Sequence, residues 1–560
     1  MLAAVAVLLA VSGGVRATVG GLRISARSPL PAAVMTLVTL GGWWWLARRA
    51  ASVTADLDAV WMAIERHATP AILCVAVASG AVAAAFATNS ASGADASGYL
   101  SQAMLWEQNR FFLLDELSNS GAVETVLTTP LGWRPTFYPG MQAPTYPPGL
   151  PWLMAMVPGT SYSGVVVVIA AAVAVWTTGL IATRLAGRAA GSIAAILIAT
   201  SPVFLFQSVQ PMSDVPVTAA WMLTWLLLIP RDDKHSGLPF DAGLVCALAV
   251  LIRPNLAPLA ALPLWAIGWN VRRLAAFSLP VVFAAALLMF LQNMWYGSPL
   301  RSGYGTADEL FALSNIGDNA ARYSWWLMTT APVLLLAPVG IALLWRRPFA
   351  KPLAAFGALV VAAYLVYAVF DVWSYLRFLL PAMAVAAVFA AAATVSALRR
   401  LPTPLRGAAA LAVMLVIFGH GVSQARARDT FRLADQQRRV AQVAEFIATA
   451  LPADTVIIAG EQSGSLSYYT GKSILRWDIA SAESLAAALT VLGASGRPVV
   501  VALDAWEREP FRSKFGVVDS VSLEWPPALE AGTSHRTLVW RLSDRDAFLR
   551  GQRIATERVP

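Results

Sequence analysis

Charge is scarce in this chain. Asp, Glu, Lys and Arg together make up 13% of its 560 residues, against about 25% in an ordinary soluble domain, which excludes a water-solvated globule for most of its length. Histidine and cysteine are scarcer, with four His (His67, His235, His420, His535) and two Cys (Cys74, Cys246). The histidines lie far apart, so no His-based metal centre is visible. Both cysteines fall inside apolar runs and read as small buried hydrophobes, with no disulfide framework. The net charge of +9 does not gather into one basic face. The basic residues come in short clusters between apolar runs, which argues against nucleic acid as a partner. No internal repeat of the kind common in secondary transporters is evident.

What is abundant is hydrocarbon. Hydrophobic residues make up 58% of the chain and Trp occurs 21 times, with a mean hydropathy of +0.61. A bilayer-spanning helix needs about 20 mostly apolar residues. Eleven segments fit, near residues 69–88, 164–184, 189–206, 215–230, 240–252, 255–270, 274–294, 325–345, 352–370, 376–396 and 407–421. Two more precede them, near 2–15 and 30–46; the first reads as a helix, since no convincing small-residue cleavage site accompanies it.

The basic clusters give an orientation. Arg48, Arg49 and Arg66; Arg184 and Arg188; Arg231 and Lys234; Arg272 and Arg273; Arg346, Arg347 and Lys351; and Arg399, Arg400 and Arg406 occupy alternate loops. Positive charge stays on the cytoplasmic side. Arg16, Arg23 and Arg27 run against this pattern, so the N-terminal pair of spans is its weakest part. The reading is a polytopic α-helical protein of the plasma membrane with about eleven to thirteen spans. Residues 1–68 form an extra hairpin and linker, and residues 69–421 a membrane core whose first external loop is 89–163. Residues 422–560 form an extracytoplasmic α/β domain. In that tail, strand-like runs from Thr455, Pro498 and Thr537 alternate with helical runs from Gln437 and Ser481, the pattern of a small α/β fold.

Polar residues at membrane edges are functional candidates, because their desolvation is expensive. Asp95 follows the span that ends near Thr88, with Tyr99 at i+4 on the same helical face. From Tyr99 to Leu117 the sequence reads as an amphipathic helix on the membrane surface. Asp214 opens a later span. Each aspartate has a plainer alternative as a helix N-cap. The loop WYGSPLRSGYG offers Arg301 and Tyr304 among glycines, which let backbone and a cation approach an anion. In FDVWSYLRFLLP, Asp371, Tyr375 and Arg377 surround the start of a span, and Arg377 suits bidentate phosphate binding. These four places converge on one face. Arg253, in LIRPNLAP, is a further candidate for a phosphate contact.

These pieces (DASGYLSQA, TYPPGLPWLMA, SPVFLFQSVQPMSDVP, NMWYGSPLRSGYG and SYLRFLLP) resemble those of the glycosyltransferase-C (GT-C) superfold. The likeness is to its protein-mannosyltransferase-like and aminoarabinose-transferase-like branch and runs over roughly residues 69–400; the two N-terminal spans depart from it. The resemblance implies an inverting transfer of a sugar from a polyprenyl-phosphate donor to an acceptor hydroxyl of a glycan, lipid or protein. It implies Asp95 as the catalytic base, with Asp214 as a second acidic residue that orients substrate or holds a divalent cation (Mg or Mn). No cofactor is required outright. Arg377, then Arg301 and Arg253, would hold the donor phosphate. Tyr99, Tyr146, Pro147, Pro148, Gly149, Tyr304 and Tyr375 would line the cavity, with Trp106, Trp133 and Tyr138 as further aromatic candidates. The tail would help bind the acceptor or a partner; Glu461, after a strand, is its one candidate carboxylate, and the plainer reading makes it a loop carboxylate in solvent. The competing readings are a flippase for a lipid-linked sugar, an envelope polysaccharide polymerase and a non-enzymatic scaffold.

Overall fold

The computed structural model of the protein describes residues 51–119, 121, 123–157, 159, 164–230, 238–533 and 535–560, together with 15–19, 22–26, 38 and 42. The two spans expected near 2–15 and 30–46 lie outside the described residues apart from isolated positions, as do Arg27, Arg48, Arg49, Arg231 and Lys234. Val15–Val19 and Leu22–Ala26 pair as an antiparallel hairpin.

Each of the eleven core segments falls on helix. The helices that build the site are α1 (Ala68–Ala85), α2 (Gly93–Glu107), α3 (Val165–Ala186), α4 (Arg188–Ala199), α5 (Asp214–Leu228), α6 (Pro239–Ile252), α7 (Val271–Tyr296) and α8 (Leu380–Leu398). Among the described residues, five helices are long and apolar enough to cross a membrane, or seven if each of two bent pairs is one span. The remaining expected spans are shorter apolar helices, such as α5 and α6. The two bends, of 62° and 112°, fall at Pro202 and Pro332. A proline supplies no N–H to the preceding turn and pushes the residue before it out of helical conformation.

Helix α3 packs against α1, α4, α5 and α8. Small residues permit the close approach, as they do between helices in lipid. A Cβ added at Gly179 would lie 2.7 Å from Ile72 Cγ2, and one at Gly191 would collide with Thr183 Oγ1. Helix α8 and its 3-10 lead-in Trp373–Leu379 are almost wholly buried and form the central post of the bundle. At one end of this bundle lie the first turns of α2 and α5, the last turn of α6 and the lead-in of α8.

Helix α2 differs from expectation. It stops at Glu107 rather than running to Leu117, and the chain turns there into a short strand at Leu113–Leu114. Nor does it lie on a surface: its residues from Ala96 to Ala103 are buried, against the helix Gly149–Ala155 and the C-terminal region.

The C-terminal region is a six-stranded sheet. Its strands are β1 (Val456–Ala459), β2 (Ile474–Arg476), β3 (Val499–Asp504), β4 (Leu529–Ala531), β5 (Thr537–Arg541) and β6 (Glu557–Val559), in the order β6-β4-β5-β3-β1-β2. Strand β1 runs parallel to both β2 and β3, whereas β5 is antiparallel to β3. Their side chains, such as Ile457, Val501 and Trp540, are buried in the cores that flank the sheet. Strands β1, β3 and β5 are the three legible in the sequence.

Candidate active site

Four charged side chains meet where those helix ends converge. Arg377 Nη2 stands 2.6 Å from Asp95 Oδ2, and Arg253 Nη2 stands 2.6 Å from Asp214 Oδ1. Arg377 Nη1 also lies 3.9 Å from Asp214 Oδ2, so Arg377 links both carboxylates. Neither aspartate caps its helix. Asp95 is third in α2 and Asp214 first in α5, with Ser92 and Ser213 in the cap positions. Both carboxylates sit in a first turn, where the helix dipole favours negative charge.

Tyrosines complete the cluster. The Tyr146 hydroxyl donates to Asp95 Oδ1 at 2.8 Å, and Tyr99 donates to Ser213 Oγ at 2.9 Å. Arg253 also donates to Ser213 Oγ at 3.2 Å, and Asn255 Nδ2 to the Tyr364 hydroxyl at 2.9 Å. The Arg377 guanidinium lies 5.0 Å from the ring centre of Tyr375 and 5.3 Å from that of Phe378, beside a pair of neighbouring rings that attract the cation. Tyr146 in turn wedges against α2: at Gly98 a side chain would collide with the Tyr146 ring. Glycine at 98 is therefore required for Tyr146 to reach Asp95.

The Asp214 side chain is 1% exposed, while that of Asp95 is 31% exposed, so Asp95 is the more accessible carboxylate. Burial alone would raise the Asp95 carboxyl. The adjacent Arg377 guanidinium, the Tyr146 hydrogen bond and more distant Arg253 outweigh it and hold Asp95 below the usual carboxylate range. Asp214 Oδ2 and Arg377 Nε are buried without a hydrogen-bond partner, which leaves polar capacity unused. The residues do not suit a divalent cation. Each carboxylate already faces a guanidinium, and among the described residues no group of three acidic, His or Cys side chains stands together.

Two hollows adjoin the cluster. One, of about 260 Å³, is lined by Tyr99, Tyr146, Arg253, Tyr304, Tyr364 and Phe378. The other is an apolar groove of about 800 Å³ between α6 and α7, lined by Trp106, Trp152, Leu244, Leu248, Phe283 and Leu287 among others. Pro148 borders both, Pro147 the first and Gly149 the second, so the YPPG turn forms the partition between them. A Cβ at Gly149 would lie 2.5 Å from the backbone of Leu251 and Ile252, so only glycine lets this turn seat against the end of α6.

Thus Asp95, Asp214, Arg253, Arg377, Tyr99, Tyr146, Pro147, Pro148, Tyr304 and Tyr375 come together. Arg301 does not. It lines a separate hollow of about 500 Å³ with Arg134 and Glu309, on the far side of the Ser302–Gly305 turn. Glycines allow a loop to turn either way, and the sequence does not reveal which side its arginine takes. Asp371 is likewise apart, exposed and paired with Arg322 at 2.5 Å. Trp133 is buried in structure and offers no open face. Ser213, Asn255 and Tyr364 were missed; the first two flank Asp214 and Arg253 in sequence, a signal that was available.

No protein-family model matches the sequence, and no curated protein matches it. Solved structures do match. ArnT from Cupriavidus metallidurans, bound to undecaprenyl phosphate, superposes with a TM-score of 0.53 at 11% identity, over 84% of this chain and 97% of that one. Its apo state gives 0.51 at 12% identity over the same shares. The oligosaccharyltransferase of Archaeoglobus fulgidus gives 0.45 at 16% identity, over 80% of this chain and 70% of that one. The likeness to ArnT, an aminoarabinose transferase, identifies the fold as GT-C.

Proposed function

We propose that this multi-pass membrane protein of GT-C fold is a glycosyltransferase that moves a sugar from a polyprenyl-phosphate donor to an acceptor hydroxyl, with inversion, on the extracytoplasmic face. The observation that carries the reading is one juxtaposition: on one side of the YPPG turn stands a partly exposed carboxylate, bonded to Tyr146, with two buried guanidinium groups near it, and on the other side lies an apolar groove. A polyprenyl phosphate has that same division, an anionic head joined to a hydrocarbon tail. The fold match to a protein that holds undecaprenyl phosphate supports this donor class.

In this mechanism the tail lies in the groove beyond Pro148, and the phosphate reaches Arg377 and Arg253. The arriving phosphate competes with Asp95 for Arg377, and Asp95 becomes more basic as that pairing weakens. The acceptor O–H gives its proton to Asp95 while its oxygen forms the new bond to the anomeric carbon. The bond from that carbon to the phosphate oxygen breaks with its electron pair, and the two guanidinium groups take up the charge. Tyr146 holds the carboxylate in line. Asp214 keeps Arg253 and Arg377 in place, acting on the phosphate through them.

A cryo-EM structure of the full chain in nanodiscs with undecaprenyl phosphate tests the assignment. The expected density places the phosphate between Arg377 and Arg253, with the first isoprenes passing Pro148 into the groove. A phosphate bound at Arg301 and Arg134 instead would overturn it.

A further inference from the structure

The carboxyl end of β1 in the C-terminal sheet leads into a helix that packs on α2, the helix of Asp95. In open sheets with parallel strands, ligands bind beyond the carboxyl ends of the strands, where the connections on either side diverge. Here that place lies between β1 and β3, because β1 leads to β2 on one side while β3 returns to pair on the other. The residues after β1 (Gly460, Glu461, Gln462) and after β3 (Ala505, Trp506, Glu507) form its two lips. They are bonded to each other: the Glu461 N–H donates to Glu507 Oε1 at 3.0 Å, and the Asp504 N–H to Glu507 Oε2 at 2.8 Å.

The same edge is fastened to α2. The helix that follows Glu461, α9 (Ser463–Thr470), packs on α2. The Leu131 N–H donates to Ser463 Oγ at 3.1 Å, and the Ala91 N–H to the Tyr469 hydroxyl at 2.9 Å. At Gly464 a side chain would collide with the Leu131 carbonyl. Glu461 is thereby held beside the catalytic cluster, exposed at the lip. Its carboxyl is raised above the usual range, first by the protein mass on one side and then by the fields of Asp504, Asp95 and Asp478.

Two features of the lips point to a ligand. Trp506 is 65% exposed, although Trp477, Trp525 and Trp540 of the same C-terminal region are buried. The Trp477 indole N–H, on a side chain 7% exposed, has no hydrogen-bond partner and is aimed at the Gly460 turn, 2.5 Å from where a Cβ would stand.

We propose that the crevice between β1 and β3 is a saccharide subsite for the acceptor, in which Glu461 accepts hydrogen bonds from acceptor hydroxyls and Trp506 offers an apolar platform. The inference rests on the transferase reading of the Asp95 site. A carboxylate that accepts from hydroxyls makes charge-assisted bonds, and an indole gives a large apolar face with few rotamers to restrict. The negative field around Glu461 selects neutral or amino sugars over phosphorylated ones.

The test measures binding to the full chain in nanodiscs. The probes are fluorescent oligosaccharides of mannose, glucose and arabinose, each free and linked to polyprenyl diphosphate, with phosphorylated counterparts and a Ser/Thr-rich peptide. Neutral saccharides are expected to bind, and Glu461→Gln and Trp506→Ala each to weaken them roughly tenfold, with the Kd for undecaprenyl phosphate at the wild-type value. With the donor site saturated by undecaprenyl phosphate, tighter binding of the lipid-linked arm would identify a lipid-linked acceptor, and equal binding a free glycan; both support the subsite when Glu461→Gln and Trp506→Ala weaken them. Saccharide affinity unchanged in both variants, or a peptide bound in preference to every saccharide, overturns it. Loss of the transferase reading looks different: wild type binds saccharide at Glu461 and Trp506 but passes no sugar to it.

Discussion

Asp95→Asn is expected to lower sugar transfer by roughly 10²–10⁴-fold, the range that a general base contributes, while donor affinity stays near wild type. The substitution keeps shape and removes the proton acceptor. The single amide oxygen can keep one of the two contacts, that from Tyr146 at 2.8 Å or that from Arg377 at 2.6 Å; the amide nitrogen, itself a donor, faces the other partner, and the change, confined to the end of the bundle, leaves the helix packing in place. The pH profile adds a second readout. Because Asp95 is held below the usual carboxylate range in the free protein, kcat/KM of the wild type should show no acid limb from this group above roughly pH 4. Equal kcat/KM in the variant and wild type would remove Asp95 from the chemistry. Donor binding lost in parallel with turnover would make it a structural partner of Arg377.

Arg377→Ala is expected to act on both substrates of the reaction. Turnover should fall by roughly 10²–10³-fold, as when one donor to a developing oxyanion is removed, and donor affinity should fall with it. Removing the guanidinium also leaves burial as the dominant influence on Asp95, whose pKa then rises. An acid limb should therefore appear in the pH profile of kcat/KM and move toward neutral pH. A merely structural arginine would lower activity without moving that limb. Arg377→Lys separates the two further: it keeps the charge and loses the planar fork, so it should restore part of the pH behaviour and less of the donor affinity.

The membrane core was legible because its signal is redundant. A run such as Val165–Ala186 is apolar around its whole circumference, and lipid exposure demands a helix whatever its neighbours do. The breaks at Pro202 and Pro332 fall inside 189–206 and 325–345, which read as single spans because apolar composition continues across each proline. The limit of α2 was misjudged because Trp106, Phe111 and Phe112 continue an amphipathic pattern past the point where the chain turns into Leu113–Leu114. Pattern alone does not tell a surface helix from one buried under another region, and here α9 of the C-terminal region and the helix Gly149–Ala155 provide the cover.

In the site, the desolvation cost of charge marked Asp95, Asp214, Arg253 and Arg377 before any geometry was known. Their pairing was not legible, since Asp95 and Arg377 lie 282 residues apart and only the fold decides which guanidinium meets which carboxylate. Arg301 carried a similar signal yet lines a different hollow, because an arginine among glycines does not fix the side on which its side chain emerges. Glu461 read as a solvated loop carboxylate because nothing in its own segment reveals that α9 docks on α2.

The most direct measurement of the central claim follows the label. Purified full-length protein in nanodiscs is supplied with a panel of radiolabelled polyprenyl-phosphate sugars and cell-envelope extract as acceptor. The account predicts that label from one donor passes into the acceptor and that unlabelled polyprenyl phosphate is released in equal amount. Donor that crosses the bilayer with its sugar–phosphate bond intact, and no label in any acceptor, would contradict it and identify a flippase.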